Sequence, residues 1–167
     1  MKTGIISYGV ALPKHRIEAA EIWKVWKNLA TSFFDVLSIG ERGVLGPEED
    51  TVTLAVAAAK QALARGGVGV ERIGALLLGT GTSPYATKAA ANVMVDALGL
   101  QNTVLATDVQ CADKSGSTAL WLAAGMIESG QIDYALVVGA DTMNRHTQPG
   151  MVLEYVASAG AVAFVLG

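Results

Sequence analysis

Two short segments of the 167-residue sequence place chemistry-bearing residue types where a strand gives way to a turn. The first reads Asp108-Val109-Gln110-Cys111-Ala112-Asp113-Lys114-Ser115-Gly116-Ser117 and leads into an apolar stretch. A helix opening there presents unpaired N–H groups and the positive end of its dipole. A nucleophile at that point gains a lowered pKa and a stabilised oxyanion. Cys111, the sole cysteine, falls two residues early, at the strand end, where a buried and inert thiol is expected. Asp113 stands where a carboxylate caps a helix by accepting the N–H of residue 115 or 116. The second segment, Gly79-Thr80-Gly81-Thr82, follows an apolar run over 73–78. It lacks the third glycine of a GxGxxG loop and follows the second strand, so it reads as a tight strand exit. No GxxxxGK[ST] and no GxSxG occurs. His15 and His146 stand in no metal-ligand spacing and read as loop residues, so no metal site is expected. Asp133 and Asp141 flank a strand and read as solvated or capping residues.

The elements that must carry these segments follow from periodicity. Residues 3–10 read as a strand and 17–29 as an amphipathic helix, with Ile22, Trp26 and Leu29 on its apolar side. The stretch 31–46, punctuated by glycine, reads as a lid, a short helix or a loop. Asp50 or Thr51 opens a helix whose stripe is Val52, Val56, Ala59 and Leu63, ended by Gly66-Gly67. Strands at 73–78, 103–109, 134–140 and 161–166 alternate with helices at 88–98, 115–129 and 151–157. Such alternation argues a parallel sheet with helices on both faces. The helix over 115–129 carries no charge between Lys114 and Glu128 and is apolar all round. A helix of that kind is covered on all sides, which one sheet alone does not do.

Composition narrows the function classes. With 51% hydrophobic residues and a net charge of −3, the chain is no disordered segment. Its 15 acids outnumber 12 bases without a Lys/Arg cluster, which argues against nucleic acid as a partner. One cysteine excludes a disulfide framework and fits a reducing, cytoplasmic compartment. Thr3 and Gly4 directly after Met1-Lys2 give no leader pattern, and no apolar run nears the ~20 residues of a membrane span. The length fits one domain, residues 1–167. The mean hydropathy of +0.41 implies an unusually apolar interior or an apolar face covered by another chain.

Several motifs in order resemble the N-terminal half of the thiolase superfamily. The nearest likeness is to the archaeal type of 3-hydroxy-3-methylglutaryl-CoA synthase, with ketoacyl synthase III a more distant cousin. The opening Gly4 to Pro13 resembles the family's first strand, and Glu49-Asp50-Thr51 resembles its "DEDT" helix start. Gly79-Thr80 with Pro84-Tyr85-Ala86 and Lys88 resembles its second strand exit. Gly139-Ala140-Asp141-Thr142, Leu153-Glu154-Tyr155 and Ala159-Gly160-Ala161 resemble its last strands. The resemblance implies an α/β fold: a single thiolase-type half with a five-stranded mixed sheet, mostly parallel, and helices on both faces. It also implies that the helix over 115–129 packs against its counterpart in a second half.

Two positions depart from the family pattern. Laid on D-L-x-x-A-C-x-x-G, the acyl-accepting cysteine becomes Asp113, and Cys111 lies two places early. Laid on G-T-E-S-x-P-Y-A, the general-base glutamate becomes Gly81. The family's histidine and asparagine belong to its second half. The expectation is therefore a non-catalytic half-length subunit of a heteromeric complex that acts on acyl-CoA thioesters. Its partner is a catalytic thiolase-like chain, with an OB-fold/zinc-ribbon accessory protein as a further candidate. Coenzyme A thioester is the substrate of that complex, and no cofactor is bound covalently. Two alternatives stand beside this: half of an active split enzyme using Asp113 or Cys111, and a CoA-binding regulatory module. The expected interface residues are Thr103, Val104 and Leu105 on an unprotected edge strand, and Leu120, Trp121, Met126 and Ile127 on the apolar helix.

Overall fold

A computed structural model describes residues 3–27 and 39–167. Its centre is a five-stranded sheet of β1 (Ile5–Ala11), β4 (Ile73–Gly79), β5 (Leu105–Val109), β6 (Tyr134–Thr142) and β7 (Ala159–Leu166), in the order β1-β7-β6-β4-β5. The pairs β6/β4 and β4/β5 are parallel, and β7 is antiparallel to both β1 and β6. Four strands thus run one way and β7 alone runs against them. The mixed sheet implied by the resemblance is present; the purely parallel sheet argued from alternation is corrected at β7. The physical reason is the short excursion after β6, which turns back within the rim and lays β7 beside it without a full crossover.

The central strands β4 and β6 are buried on both faces, as their continuous apolar runs require. Leu76, Leu78, Leu136 and Val138 point to one face, where they meet α2 (Thr51–Gly66) and α3 (Ala90–Leu98). Ala75, Leu77, Ala135 and Val137 point to the other, where α4 (Ser115–Glu128) lies on them through Ala119 and Ala123. Asp50 opens α2 with a full capping box: its side chain accepts the Thr53 N–H, and the Thr53 hydroxyl accepts the Asp50 N–H. The buried stripe of α2 centres on Ala55, Ala58 and Ala62, while Val56 and Leu63 pack at its margin. Val52 and Ala59 of the expected stripe are buried, and the correction concerns Val56 and Leu63 alone, because small residues let the helix sit close over β1 and β7. Gly9 shows how close: a Cβ there would lie 2.1 Å from the Ala58 carbonyl oxygen.

The first predicted helix starts later than expected: His15–Glu18 form β2 and α1 covers Ala19–Trp26, while residues 28–29, with the expected apolar Leu29, lie outside those described. Of the 31–46 stretch, residues 31–38 lie outside those described, and Glu41–Val44 form β3, paired antiparallel with β2. The last short helix, α5, spans Val152–Val156. Among the described residues, no helix is long and apolar enough to cross a membrane.

Candidate functional site

The C-terminal ends of β4, β5 and β6 and the start of α4 converge at one rim of the sheet. They approach so closely because glycine meets glycine: a Cβ on Gly79 would lie 2.6 Å from Gly116 Cα and N. Overlap of that size with backbone forces the helix away, so the first turn of α4 sits directly over the strand ends.

The turn before α4 is shaped by Ala112, whose φ of 47° lies in the left-handed region that non-glycine residues seldom occupy. Ser115 holds it there. Its hydroxyl donates to the Ala112 carbonyl at 2.7 Å and accepts the Cys111 N–H at 2.9 Å. Lys114, not Asp113, is the N-cap residue, and no side chain caps the helix from that position. The expected capping role of Asp113 is therefore corrected: the turn places it one residue outside the helix, exposed at the rim. The expected burial of Cys111 is corrected too. Regular pairing of β5 ends at Val109, and residues 110 and 111 run past the rim, which leaves the thiol exposed.

Gly81 faces the same turn. A Cβ added there would lie 3.7 Å from Asp141 Oδ1 and 3.9 Å from the Ala112 oxygen, ordinary contact distances with room for a side chain. The structure thus brings together positions 81 and 112–113, which sequence places about thirty residues apart. Asp141 anchors the first of these, the 80–82 turn. Its Oδ1 accepts the Gly81 N–H at 2.8 Å, the Thr82 hydroxyl at 2.8 Å and the Thr80 hydroxyl at 3.2 Å. Behind it, Thr51, Thr82 and Thr142 are buried and linked hydroxyl to hydroxyl, with Thr51 and Thr142 2.8 Å apart. This lattice fixes the 80–82 turn against the end of β6. Asp108 does a similar job on the other side: its two oxygens accept the Ala90 and Ala91 N–H groups, each at 2.8 Å, and so cap α3.

From sequence alone Asp141 reads as a solvated or capping residue and Asp108 has no assigned role. Both act through residues more than fifteen positions away, so no local pattern reports them. The one available signal was the Thr80-x-Thr82 pair beside a strand-end aspartate. An open groove of about 460 Å³ runs from Gly116 and Asp141 past Gly139 and Gly160 to Leu12 and Ser158. The predicted interface residues divide. Leu120, Met126 and Ile127 are half-buried against the chain's own sheet, whereas Trp121 is 82% exposed. The expected edge strand over 103–109 is corrected to start at Leu105: exposed Thr103 and half-buried Val104 lie in the turn before it, where the Val104 N–H donates to the Gln101 carbonyl, and of the three only Leu105, exposed, is on the strand.

The chemistry-bearing groups at this rim are few. A carboxylate stands at position 113 and no side chain at 81. The only thiol among the described residues is Cys111, and no group of three His, Cys, Asp or Glu there is placed to hold a metal ion.

Comparison with known proteins agrees with this architecture. The chain is 43% identical over 167 residues to a hydroxymethylglutaryl-CoA synthase of Pyrobaculum arsenaticum, covering 100% of this chain and 47% of that protein. It is 42% identical over 164 residues to one from Archaeoglobus fulgidus, covering 98% and 47% respectively. The chain therefore spans about half the length of these relatives. Its fold superposes on 3-oxoacyl-[acyl-carrier-protein] synthase III of Aquifex aeolicus with a TM-score of 0.91 at 26% identity, covering 98% of this chain and 53% of that one. Residues 38–157 match the family described as thiolase, N-terminal domain. With the five-stranded mixed sheet, the rim-seated helix α4 and this match together, the chain belongs to the thiolase family, as an N-terminal half-domain of its fold.

Proposed function

We propose that this half-domain works within an assembly that makes or breaks a carbon–carbon bond next to a coenzyme A thioester, and that it supplies neither nucleophile nor base. The carrying observation is the rim itself. The turn, the helix start and the 80–82 loop are built and fixed, yet the position at the start of α4 holds Asp113 and the facing position holds Gly81. A carboxylate attacking a thioester yields a mixed anhydride, which hydrolyses readily, so it is a poor carrier of an acyl group. Gly81 has no side chain to move a proton. A catalytic thiolase-like partner chain supplies the cysteine, base and histidine in this reading, with an OB-fold/zinc-ribbon accessory protein as a second partner. Coenzyme A enters as part of the substrate.

The exposure of Cys111 favours one second reading, in which that thiol accepts the acyl group in a split enzyme. Acyl-enzyme trapping separates the two. The isolated assembly is treated with radiolabelled acetyl-CoA, quenched in acid and digested. The proposal expects the label on a partner peptide and none on the peptide bearing Cys111. A labelled Cys111 that is lost in Cys111→Ser establishes the second reading instead.

A further inference from the structure

Helix α4 carries its two charges at unfavourable ends. Lys114 stands at its N-cap and Glu128 is its last residue, with no charge between them. A helix favours an anion at its N-terminus and a cation at its C-terminus, so both residues oppose the dipole they sit on. Both are exposed. Glu128 accepts the Thr3 N–H and the Thr3 hydroxyl, each at 2.8 Å, and neither of these donors carries a full charge. At 1.5 Å per residue, Lys114 and Glu128 of one helix lie about 21 Å apart and cannot pair with each other. A second α4 laid antiparallel beside the first brings each Lys114 to the other's Glu128, and each positive helix end to the other's negative end. The residue midway between the two charges is Trp121, which is 82% exposed. Ser117 and Gly125, one turn to either side of it, are small and exposed, which lets a neighbour come close.

The sheet has room for that second helix. α4 lies over β4 and β6, and no described helix lies over β1 and β7 on the same face, where Tyr8, Val10 and Leu12 are exposed. Ser117 and Leu120 of α4 share a hollow of about 210 Å³ with Val162 and Phe164 of β7, so this open half begins at the flank of α4. Two strands span about 10 Å, the width of one helix. A two-fold axis at the level of Trp121 seats each α4 on its own sheet through Ala119 and Ala123 and on the other copy's β1 and β7 through Trp121. Each α4 is then covered on all sides, as a helix apolar all round requires. Tyr8, Val10, Leu12 and Trp121 together expose roughly 500 Å², so the pair removes about 1,000 Å² through these residues alone, the size at which an interface becomes specific. The same contact roofs the open groove beside Gly116 and Asp141, which runs past Val10, Leu12 and Val162.

We propose that the chain pairs with a second copy of itself in an isologous dimer, two antiparallel α4 helices forming one layer between two sheets. The edge of β5 stays free for a catalytic partner, and the dimer does not depend on which chain holds the nucleophile. Sedimentation equilibrium of the 167-residue chain is expected to show a dimer. Lys114→Glu and Glu128→Lys each set like charges against each other at both ends of the helix pair. Each alone is expected to weaken dimerisation about tenfold or more at low salt. Lys114→Glu also suits its own helix end better, so its weaker dimer is expected with an undiminished urea midpoint for the monomer. Mixed one to one, the two variants restore opposite charges at both ends and are expected to recover the parent's affinity. A partner that covers α4 without a two-fold axis gives no such rescue. Should Glu128→Lys not fold, for loss of the Thr3 contacts, Trp121→Ala serves, since Trp121 is exposed. It is expected to weaken the dimer about tenfold or more. A monomer at every concentration, a mixture no tighter than its components, or a dimer indifferent to Trp121→Ala overturns the proposal.

Discussion

The two faces of the five-stranded sheet are finished differently. On one, α2 and α3 cover the strands from β1 to β5, and Leu76, Leu78, Leu136 and Val138 are wholly buried. On the other, α4 covers β4 and β6, but no described helix covers the half above β1 and β7. Tyr8 is 55% exposed there, Val10 42% and Leu12 58%, beside Val162 and Phe164 of β7. Trp121 and Leu122 of α4 are exposed too, grouped with Ser117 and Thr118 of the same helix. One face is a finished core; the other is a core cut open. The groove by Gly116 and Asp141 runs along the cut, so the candidate site and the open face are one region.

The largest expected effect comes from covering that face. With ~300 Å² of apolar surface buried at about 25 cal/mol per Å², the gross gain is on the order of 7 kcal/mol before the costs of association. Surfaces of that size are seldom left to water in a soluble monomer. Expressed as these 167 residues, the chain is therefore expected to bind ANS and to run above its monomer mass in sedimentation. Tyr8→Ser with Trp121→Glu is expected to reduce both signals. A monomeric, ANS-silent chain would show that the face is satisfied from within.

The next effect distinguishes the faces by stability. Leu136→Ala empties a fully buried position on the finished face and is expected to cost about 2–5 kcal/mol in urea denaturation. Val10→Ser, on the open face, is expected to stay within ~0.5 kcal/mol in the same measurement on the monomer. Similar costs for both would mean that the faces do not differ as described.

The sheet's edges repeat the contrast on a smaller scale. At β1, side chains of α2 occupy edge carbonyls: Arg65 Nη1 donates to Tyr8 O and Gln61 Nε2 to Val10 O, both at 2.9 Å. At β5, Leu105 is 49% exposed, and the strand carries neither proline nor lysine. A bare edge of that kind is open to pairing. Leu105→Pro is expected to weaken assembly through β5 without unfolding the chain, seen as a lower sedimentation coefficient with unchanged far-UV dichroism. Undiminished assembly places the partner elsewhere.

The elements that sequence reveals are those whose burial is uniform along their length. The continuous apolar runs of β4 and β6 and the Asp50 start of α2 announce themselves because each is fixed by neighbours a few residues away. The β2–β3 ribbon is invisible for the opposite reason. His15–Glu18 and Glu41–Val44 are four residues each, mostly polar or exposed, and gain their shape only by pairing across twenty-two intervening positions. The rim divides the same way. That a strand ends and a helix starts near residue 113 is local and legible. That Ser115 fixes the Ala112 turn, that Asp141 holds Gly81, and that Cys111 overhangs the edge depend on where β5 stops and how near Gly79 lets α4 come.

The smallest effect is also the most informative about position 113, because the two faces offer a matched pair of aspartates. Asp50 begins the helix of the finished face and accepts the Thr53 N–H at 2.7 Å, closing a capping box. Asp113 precedes the helix of the open face and lies outside it, with no cap formed at Lys114. Asp50→Ala is therefore expected to cost about 0.5–2 kcal/mol. Asp113→Ala loses only the attraction between a carboxylate and the helix's positive end, about 0.3–1 kcal/mol at low salt and less as salt screens it. Raising the salt to ~1 M, where the Debye length falls to about 3 Å, should erase most of the Asp113 cost and leave that of Asp50 largely intact. If Asp113→Ala instead costs as much as Asp50→Ala at both salt concentrations, the residue is a structural cap after all. Its presence where the resemblance puts a cysteine would then be explained by stability of α4 rather than by the proposed division of chemistry with a partner.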